Sequence, residues 1–355
     1  MATKIVFSPK LPAALIDVAR SLVPAGFEMT VVDAGTPEFA AALPDAEYFV
    51  GFPRAELGTD FYRRAPNMKL VQLISAGYDR LDVEAARRAR VPIANNGGAN
   101  SVAVAEHTLM LMLAVYRKLS WHHANVVTGK WRVGDFASHR LYELEGKTLG
   151  IVGLGTIGKK VARRAAAFGV RIVYYDILRL SEEAEDALGV RFVLLPELLR
   201  SSDIVSLHVP LNASTRGLIG GAELALMQAS AILINTSRGP VVDETALEDS
   251  LANRRLAGAG LDVFAEEPPP ADHPLFRLDN VVLTAHLAGP TWESNVARLR
   301  NGFDNVQRVA RGEAPLWVIP ELGVDARRPA CECGKNSEQP YPLTKSRLLR
   351  PAPSH

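Results

Sequence analysis

The chain is 355 residues long, with 40 Lys and Arg against 39 Asp and Glu, and carries a formal net charge of +1 at pH 7. That balance gives no electrostatic footprint for nucleic acid or an anionic membrane surface, and 48% hydrophobic with 22% charged residues suits a globular chain of about two domains. The only cysteines, Cys331 and Cys333, supply neither a disulfide framework nor a closed zinc site, and MATKIVFSPK lacks a secretory core, so a cytoplasmic protein is expected.

Residues 3–7 read as a first strand, with Pro12 near the start of a helix. Strand-like runs recur at 27–32, 46–50 and 69–74, separated by segments of helical length, and this alternation predicts a small parallel α/β domain. The fourth run leads into Ser75-Ala76-Gly77. At the carboxyl end of a strand, an open α/β sheet offers backbone N–H groups to a ligand, although an ordinary strand-to-helix turn explains the same residues. A fifth run covers 91–94. Asn100 or Ser101 is placed to cap a long helix, predicted to run to about Ser120. It is apolar nearly all round and is expected to be buried between domains or subunits; Glu106 and His107 argue against a membrane span. His122 and His123 diverge as neighbours and have no acid or thiol at ligand spacing, so no metal is expected. Residues 125–145 read as a loop-rich arm.

The next stretch, 146–176, has the order of a dinucleotide site: strand, glycine turn, helix, strand, acid. Gly153 permits the tight turn, Gly155 lets backbone approach a pyrophosphate, and Gly158 lets helix and strand pack closely. The helix opens at Thr156 and Ile157, where unpaired N–H groups and the positive dipole end suit phosphates. Asp176 ends the second strand, placed to accept ribose hydroxyls and to repel a 2′-phosphate, which selects NAD. Arg179, close by, is a counter-signal that would favour a phosphate.

Further strands are expected at 191–193, 203–207, 231–235, 258–263 and 281–284, completing a second doubly wound parallel sheet. Their carboxyl ends carry His208-Val209-Pro210, Thr236-Ser237-Arg238-Gly239, Asp262 and His286, and such ends are where these sheets bind ligands. A last helical pattern occupies 291–312. Residues 323–355 are proline-rich, basic and aperiodic, and read as a disordered tail.

Three residues suggest chemistry. Arg238, at a strand end before Gly239, presents a fork suited to a carboxylate. His286 suits proton exchange near neutral pH, and Glu267 is placed to hold the imidazole and favour its charged form. Together they answer the needs of hydride transfer to a 2-keto acid: a carboxylate anchor, an acid and a group to tune it. Taken singly, a strand-end ion pair and a satisfied buried histidine explain Arg238 and His286 as well.

The segments INTSRGPVVDETAL (234–247), GAGLDVFAEEPP (258–269), TAHLAG (284–289), GKTLGIVGLGTIG (146–158) and VAEHTLMLMLA (104–114) closely resemble signatures of the D-isomer-specific 2-hydroxyacid dehydrogenases. The resemblance covers about residues 45–315 in order. It implies an α/β protein of two doubly wound parallel-sheet domains. An NAD-binding Rossmann domain (102–288) is inserted into a flavodoxin-like substrate domain (1–101 and 289–322), with the active site in the cleft between them. It also implies a homodimer through the 101–120 helix and the arm, and a small 2-keto or 2-hydroxy acid as substrate. Position by position, Arg238 corresponds to the substrate-binding arginine, His286 to the acid/base and Glu267 to its partner. Ser75-Ala76-Gly77 matches the loop whose amides hold the substrate carboxylate, Asp262 a residue near the nicotinamide carboxamide, and Thr108 a phosphate contact. His208, Val209, Pro210 and Thr236 are further expected cofactor neighbours. Pro290 and the bulky Trp292 depart from the family pattern. A rival reading is an NAD(H)-sensing interaction protein of the corepressor type, which shares the fold and retains the same three residues.

Overall fold

A computed structural model describes residues 2–54, 56–134 and 140–322. The tail expected at 323–355 and the middle of the arm lie outside those residues. The described residues fall into two compact units: one takes the chain up to His107 together with the part from Leu287 on, and the other runs from Thr108 to His286.

The first unit is built on strands β1 (Thr3–Ser8), β2 (Phe27–Val31), β3 (Tyr48–Gly51), β4 (Leu70–Leu73) and β5 (Ile93–Ala94). They form one parallel sheet in the order β2-β1-β3-β4-β5, the doubly wound order of flavodoxin-like sheets. Successive side chains go to opposite faces, and both faces are covered. Val6, Phe49 and Val71 enter one core with Phe39 and Phe61. Ile5, Phe7, Tyr48, Val50 and Leu70 enter the other with Leu299, Phe303 and Val306 from the helix Trp292–Ala310. That helix starts with a reciprocal cap: Thr291 Oγ1 accepts from the Ser294 N–H at 3.2 Å, and Ser294 Oγ accepts from the Thr291 N–H at 3.0 Å.

The second unit carries β6 (Thr148–Val152), β7 (Arg171–Tyr175), β8 (Val190–Phe192), β9 (Ile204–Leu207), β10 (Ile232–Asn235), β11 (Gly258–Leu261) and β12 (Val281–Leu283). All neighbours are parallel, in the order β12-β11-β10-β9-β6-β7-β8. The strand order therefore reverses between β6 and β9, the switch point at which such sheets bind dinucleotides.

The helix expected to reach Ser120 ends at Tyr116. Lys118 takes a left-handed conformation (φ +47°), and a separate helix, Leu119–Val127, follows. The buried apolar run of the first helix stops at Tyr116, while Leu119, Val126 and Val127 of the second are exposed, so packing no longer keeps the two in one line. Among the described residues no helix is long and apolar enough to cross a membrane.

Candidate active site

At the switch point Gly153 has φ +94°, and a Cβ on it would lie 2.8 Å from the His208 carbonyl group. A Cβ on Gly158 would lie 2.2 Å from the Gly153 oxygen, whereas nothing lies within 4 Å of one on Gly155. Turn, open approach and close packing thus fall to three different glycines, the division of labour a pyrophosphate site needs. The helix Thr156–Ala165 starts here, and its first bond runs from the Lys159 N–H to the Gly155 carbonyl. The amides of Thr156 and Ile157 stand ahead of that bond as helix N-terminal donors.

His208 lies across the switch point from Gly153. Its Nε2 pairs with Ser206 Oγ at 2.9 Å, and its buried Nδ1 has no partner among the described residues. Burial pushes the imidazole down to about 3, so it stays neutral. Val209 is half-buried like His208, and Pro210 is exposed. Thr236 and Thr108 are both buried and share a hydroxyl–hydroxyl bond of 3.0 Å. The Asp176 carboxylate accepts from the Leu154 N–H at 2.7 Å and the Leu178 N–H at 3.1 Å. It fixes the glycine turn to the loop after β7, and each oxygen keeps a lone pair for a ribose hydroxyl. Arg179, the counter-signal, is held elsewhere. Its Nε donates to the buried Glu185 at 3.0 Å and its guanidinium lies over the Phe192 ring at 5.5 Å. The open space at Gly155, the orphaned His208 Nδ1 and the placed Asp176 fit a dinucleotide.

Arg238 follows β10, and its turn is held by a residue that sequence reasoning missed. The buried Asn235 accepts from the Ser237 N–H (3.0 Å) and Ser237 Oγ (2.7 Å), and donates to the Arg238 carbonyl (3.0 Å). Asp262, wholly buried, accepts from Thr284 Oγ1 at 2.6 Å, and its carbonyl accepts from the His286 N–H at 2.7 Å. His286 has φ +54° and an exposed side chain whose Nδ1 lies 2.8 Å from Glu267 Oε2. Glu267 Oε1 accepts from the Phe264 N–H at 3.2 Å. Burial raises the Glu267 carboxyl. The His286 hydrogen bond and charge, the Phe264 amide and the Arg238 charge outweigh it and hold the group below the usual glutamate range. With Nδ1 facing a carboxylate, Nε2 is the ring nitrogen left for proton exchange.

In the first unit the carbonyls of Ser75, Ala76 and Gly77 accept from the Asn96 N–H (3.0 Å), Asn95 Nδ2 (3.4 Å) and Ser75 Oγ (2.8 Å). Because trans peptides set N–H opposite C=O, the amides of Ala76 and Gly77 face away from Asn95 and Asn96 and are available as donors. Arg298, also missed from the sequence, is 7% exposed and donates to the Ile74 carbonyl at 3.3 Å. Its guanidinium lies over the Phe52 ring at 5.6 Å, and burial lowers it to about 10, still charged at neutral pH.

The family model described as D-isomer specific 2-hydroxyacid dehydrogenase, NAD binding domain, matches residues 109–288. The chain belongs to the D-isomer-specific 2-hydroxyacid dehydrogenase family. This dehydrogenase is 40% identical over 286 residues to a glyoxylate reductase of Korarchaeum cryptofilum, covering 80% of this chain and 86% of the relative. A glyoxylate reductase of Thermococcus litoralis is 42% identical over 264 residues, 73% and 79% of the two chains. Among solved structures, the D-mandelate dehydrogenase of Rhodotorula graminis superimposes with a TM-score of 0.80 at 30% identity, covering 90% of this chain and 98% of that one. The chain is an NAD-dependent oxidoreductase of small 2-keto and 2-hydroxy acids.

Proposed function

We propose that this dehydrogenase reduces glyoxylate, or a 2-keto acid of similar size, with NADH and oxidises the D-2-hydroxy acid in reverse. The observation that carries the assignment of the chemistry is the 2.8 Å contact between His286 Nδ1 and Glu267 Oε2, with the imidazole exposed beyond β12. The nicotinamide, when bound, supplies or accepts the hydride. His286 Nε2 gives a proton to the carbonyl oxygen in reduction and takes one from the hydroxyl in oxidation. Glu267 orients the ring and stabilises its protonated form. The Arg238 fork binds the substrate carboxylate, and the amides of the Ser75-Ala76-Gly77 turn in the first unit are further donors suited to a carboxylate. Thr156 and Ile157 amides, with Gly153, Gly155, Gly158, Thr108, His208, Val209, Pro210, Thr236 and Asp262, form the cofactor's surroundings, and Asp176 takes the ribose hydroxyls.

Asp176 would repel a 2′-phosphate, and Arg179 is engaged with Glu185, so NADH is the preferred form. The reading includes a homodimer that covers the exposed Leu119, Val126, Val127 and Trp131, and a cytoplasmic location. Steady-state rates with glyoxylate, hydroxypyruvate, pyruvate and a bulky aromatic keto acid, each with NADH and NADPH, test it. Glyoxylate with NADH is expected to give the highest kcat/KM, with NADPH at least about tenfold lower, a difference of about 1.4 kcal/mol. Slow turnover with every acid, or equal use of both cofactors, would sink the corresponding part.

A further inference from the structure

A polar cluster in the second unit, two half-buried glutamates around a buried histidine, lies outside the groups given roles above. Glu244 opens the helix Glu244–Ala252, and its two carboxylate oxygens serve two partners. Oε2 accepts from the Ala265 N–H at 2.9 Å, and Oε1 lies 3.1 Å from His273 Nε2. His273 is 6% exposed. Its ring packs against Phe264 and Phe276, with centroids 5.8 and 5.4 Å away, and its Nδ1 accepts from the Leu275 N–H at 3.3 Å. Since Nδ1 accepts, Nε2 carries the ring hydrogen and donates to Glu244. Glu248, one turn further along the helix, comes within 3.7 Å of the same nitrogen.

Glu244, Glu248 and His273 bring their ligand-type atoms within 4.8 Å of one another, the spacing of a cation site. The hydrogen-bond pattern argues against that use, because His273 Nε2 offers a hydrogen instead of a lone pair. What the cluster does achieve is mechanical. A single carboxylate ties Ala265 to His273, the two ends of a segment that contains Glu267. The residue before that segment, Phe264, donates its N–H to Glu267 Oε1 and is fixed from the other side, because a Cβ on Gly239 would lie 1.9 Å from its carbonyl oxygen.

We propose that Glu244 and His273 are positioning residues for the reaction, holding the 265–273 loop so that Glu267 presents Oε2 to His286 Nδ1. This rests on the roles given to Glu267 and His286 above. Hydrogen bonds weaken steeply as geometry degrades, and a misplacement of about 1 Å arising away from the chemistry can cost on the order of 10²-fold in rate.

A double-mutant cycle on the full-length enzyme tests it, using kcat/KM for glyoxylate with NADH in wild type, Glu244→Gln, Glu267→Gln and the double variant. Glutamine keeps the size of Glu244 but turns one of its two acceptors into a donor facing another donor. Glu244→Gln is expected to lower kcat/KM by roughly tenfold or more and to move the alkaline limb of the pH profile in the same direction as Glu267→Gln. In the Glu267→Gln background its further effect is expected to stay under about twofold, and the Kd for NADH is expected to hold throughout. Effects that multiply in the double variant, with the limb unmoved by Glu244→Gln, would show a merely structural role and overturn the inference alone. A wild-type rate and profile in Glu267→Gln would overturn the reading of Glu267 and the inference with it. If Glu244→Gln does not fold, His273→Gln, which keeps a donor for Glu244, is expected to retain most of the rate, while His273→Leu behaves like Glu267→Gln. Equal rates in these two would overturn the proposal.

Discussion

His286 sits in left-handed backbone, where a residue other than glycine is held at a cost of about 1–3 kcal/mol. Its backbone N–H is bonded to the Asp262 carbonyl and its Nδ1 to Glu267, so both ends of the residue are fixed while the ring stays exposed. The Glu267 carboxyl, held below its usual range, is ionised through the neutral region. Glu267→Gln removes that charge and turns one of the two acceptors into a donor, so kcat/KM for keto-acid reduction is expected to fall and its pH profile to change. A pH profile of kcat/KM unchanged in that variant would remove Glu267 from the mechanism. Stability follows the same group with a definite sign. A depressed carboxyl contributes stability that is present above its ordinary value of about 4.3 and is lost as pH falls through the folded value. The difference in Tm between wild type and Glu267→Gln is therefore expected to narrow on acidification below about pH 4.3. Arg238→Lys keeps charge but not the fork, and is expected to lower kcat/KM for the keto acid by about 10–100-fold, the equivalent of roughly 1.5–3 kcal/mol for a charge-assisted bond. The Kd for NADH should hold; if it collapses while the keto-acid terms stay, Arg238 belongs to the cofactor. Arg238, Glu267 and His286 were legible as candidates because each sits at a sequence signal of its own. Asn235, Glu244 and His273 were not, since their roles lie in contacts with backbone groups that no local pattern announces.

The strand–turn–helix–strand element from Thr148 to Asp176 was legible almost whole, because every part of its physics is local: apolar runs, three glycines, a basic amphipathic helix and a closing acid. Its glycines differ in a way that only the packing shows, and this separates two variants. At Gly155 a Cβ meets nothing within 4 Å and φ is −72°, so Gly155→Ala is expected to leave Tm nearly unchanged while a methyl group occupies the approach of a pyrophosphate. At Gly158 the Cβ would press on the Gly153 oxygen at 2.2 Å, backbone against backbone. Gly158→Ala is therefore expected to lower Tm as well as NADH affinity, with a stability loss of about 1–3 kcal/mol from overpacking. Thermal melts beside NADH titrations check the contrast; equal Tm losses in the two variants would contradict it. Elsewhere the element-level reading failed where tertiary packing decides. Nothing in the residues at Arg117–Lys118 marks a break, and the left-handed Lys118 follows from where burial stops. Likewise Arg179 reads as a free cation beside Asp176, and only the contacts show Glu185 and Phe192 holding it.

At the scale of the molecule, strand number was legible from the alternation of apolar runs with helical segments, because buried parallel strands are short and apolar on both faces. Strand order and the polar ties inside the first unit were not, as they join residues far apart in the chain. The clearest such tie is Asn305, fully buried on the helix Trp292–Ala310. Its Nδ2 donates to Gln72 Oε1 on β4 at 2.8 Å and to the Leu316 carbonyl at 2.9 Å, and its Oδ1 accepts from the Leu316 N–H at 2.8 Å. Gln72 in turn donates to the Asn95 carbonyl at 2.9 Å, beyond β5. One amide thus joins the returning C-terminal part of the chain to the sheet built by its beginning. Asn305→Ala would strand the buried Gln72 oxygen away from water, at about 1–3 kcal/mol for a group left unsatisfied, and release the Leu316 backbone from its side-chain anchor. The expected loss is about 1–3 kcal/mol, within the range of known mechanisms for a buried network. Faster amide exchange is expected in β4, β5 and the 292–310 helix, while the Kd for NADH stays at its wild-type value because the glycine turn belongs to the other unit. Exchange that accelerates equally in β6 and β9 would show that the two units do not lose structure separately, and unchanged exchange in β4 would show that Asn305 ties nothing down.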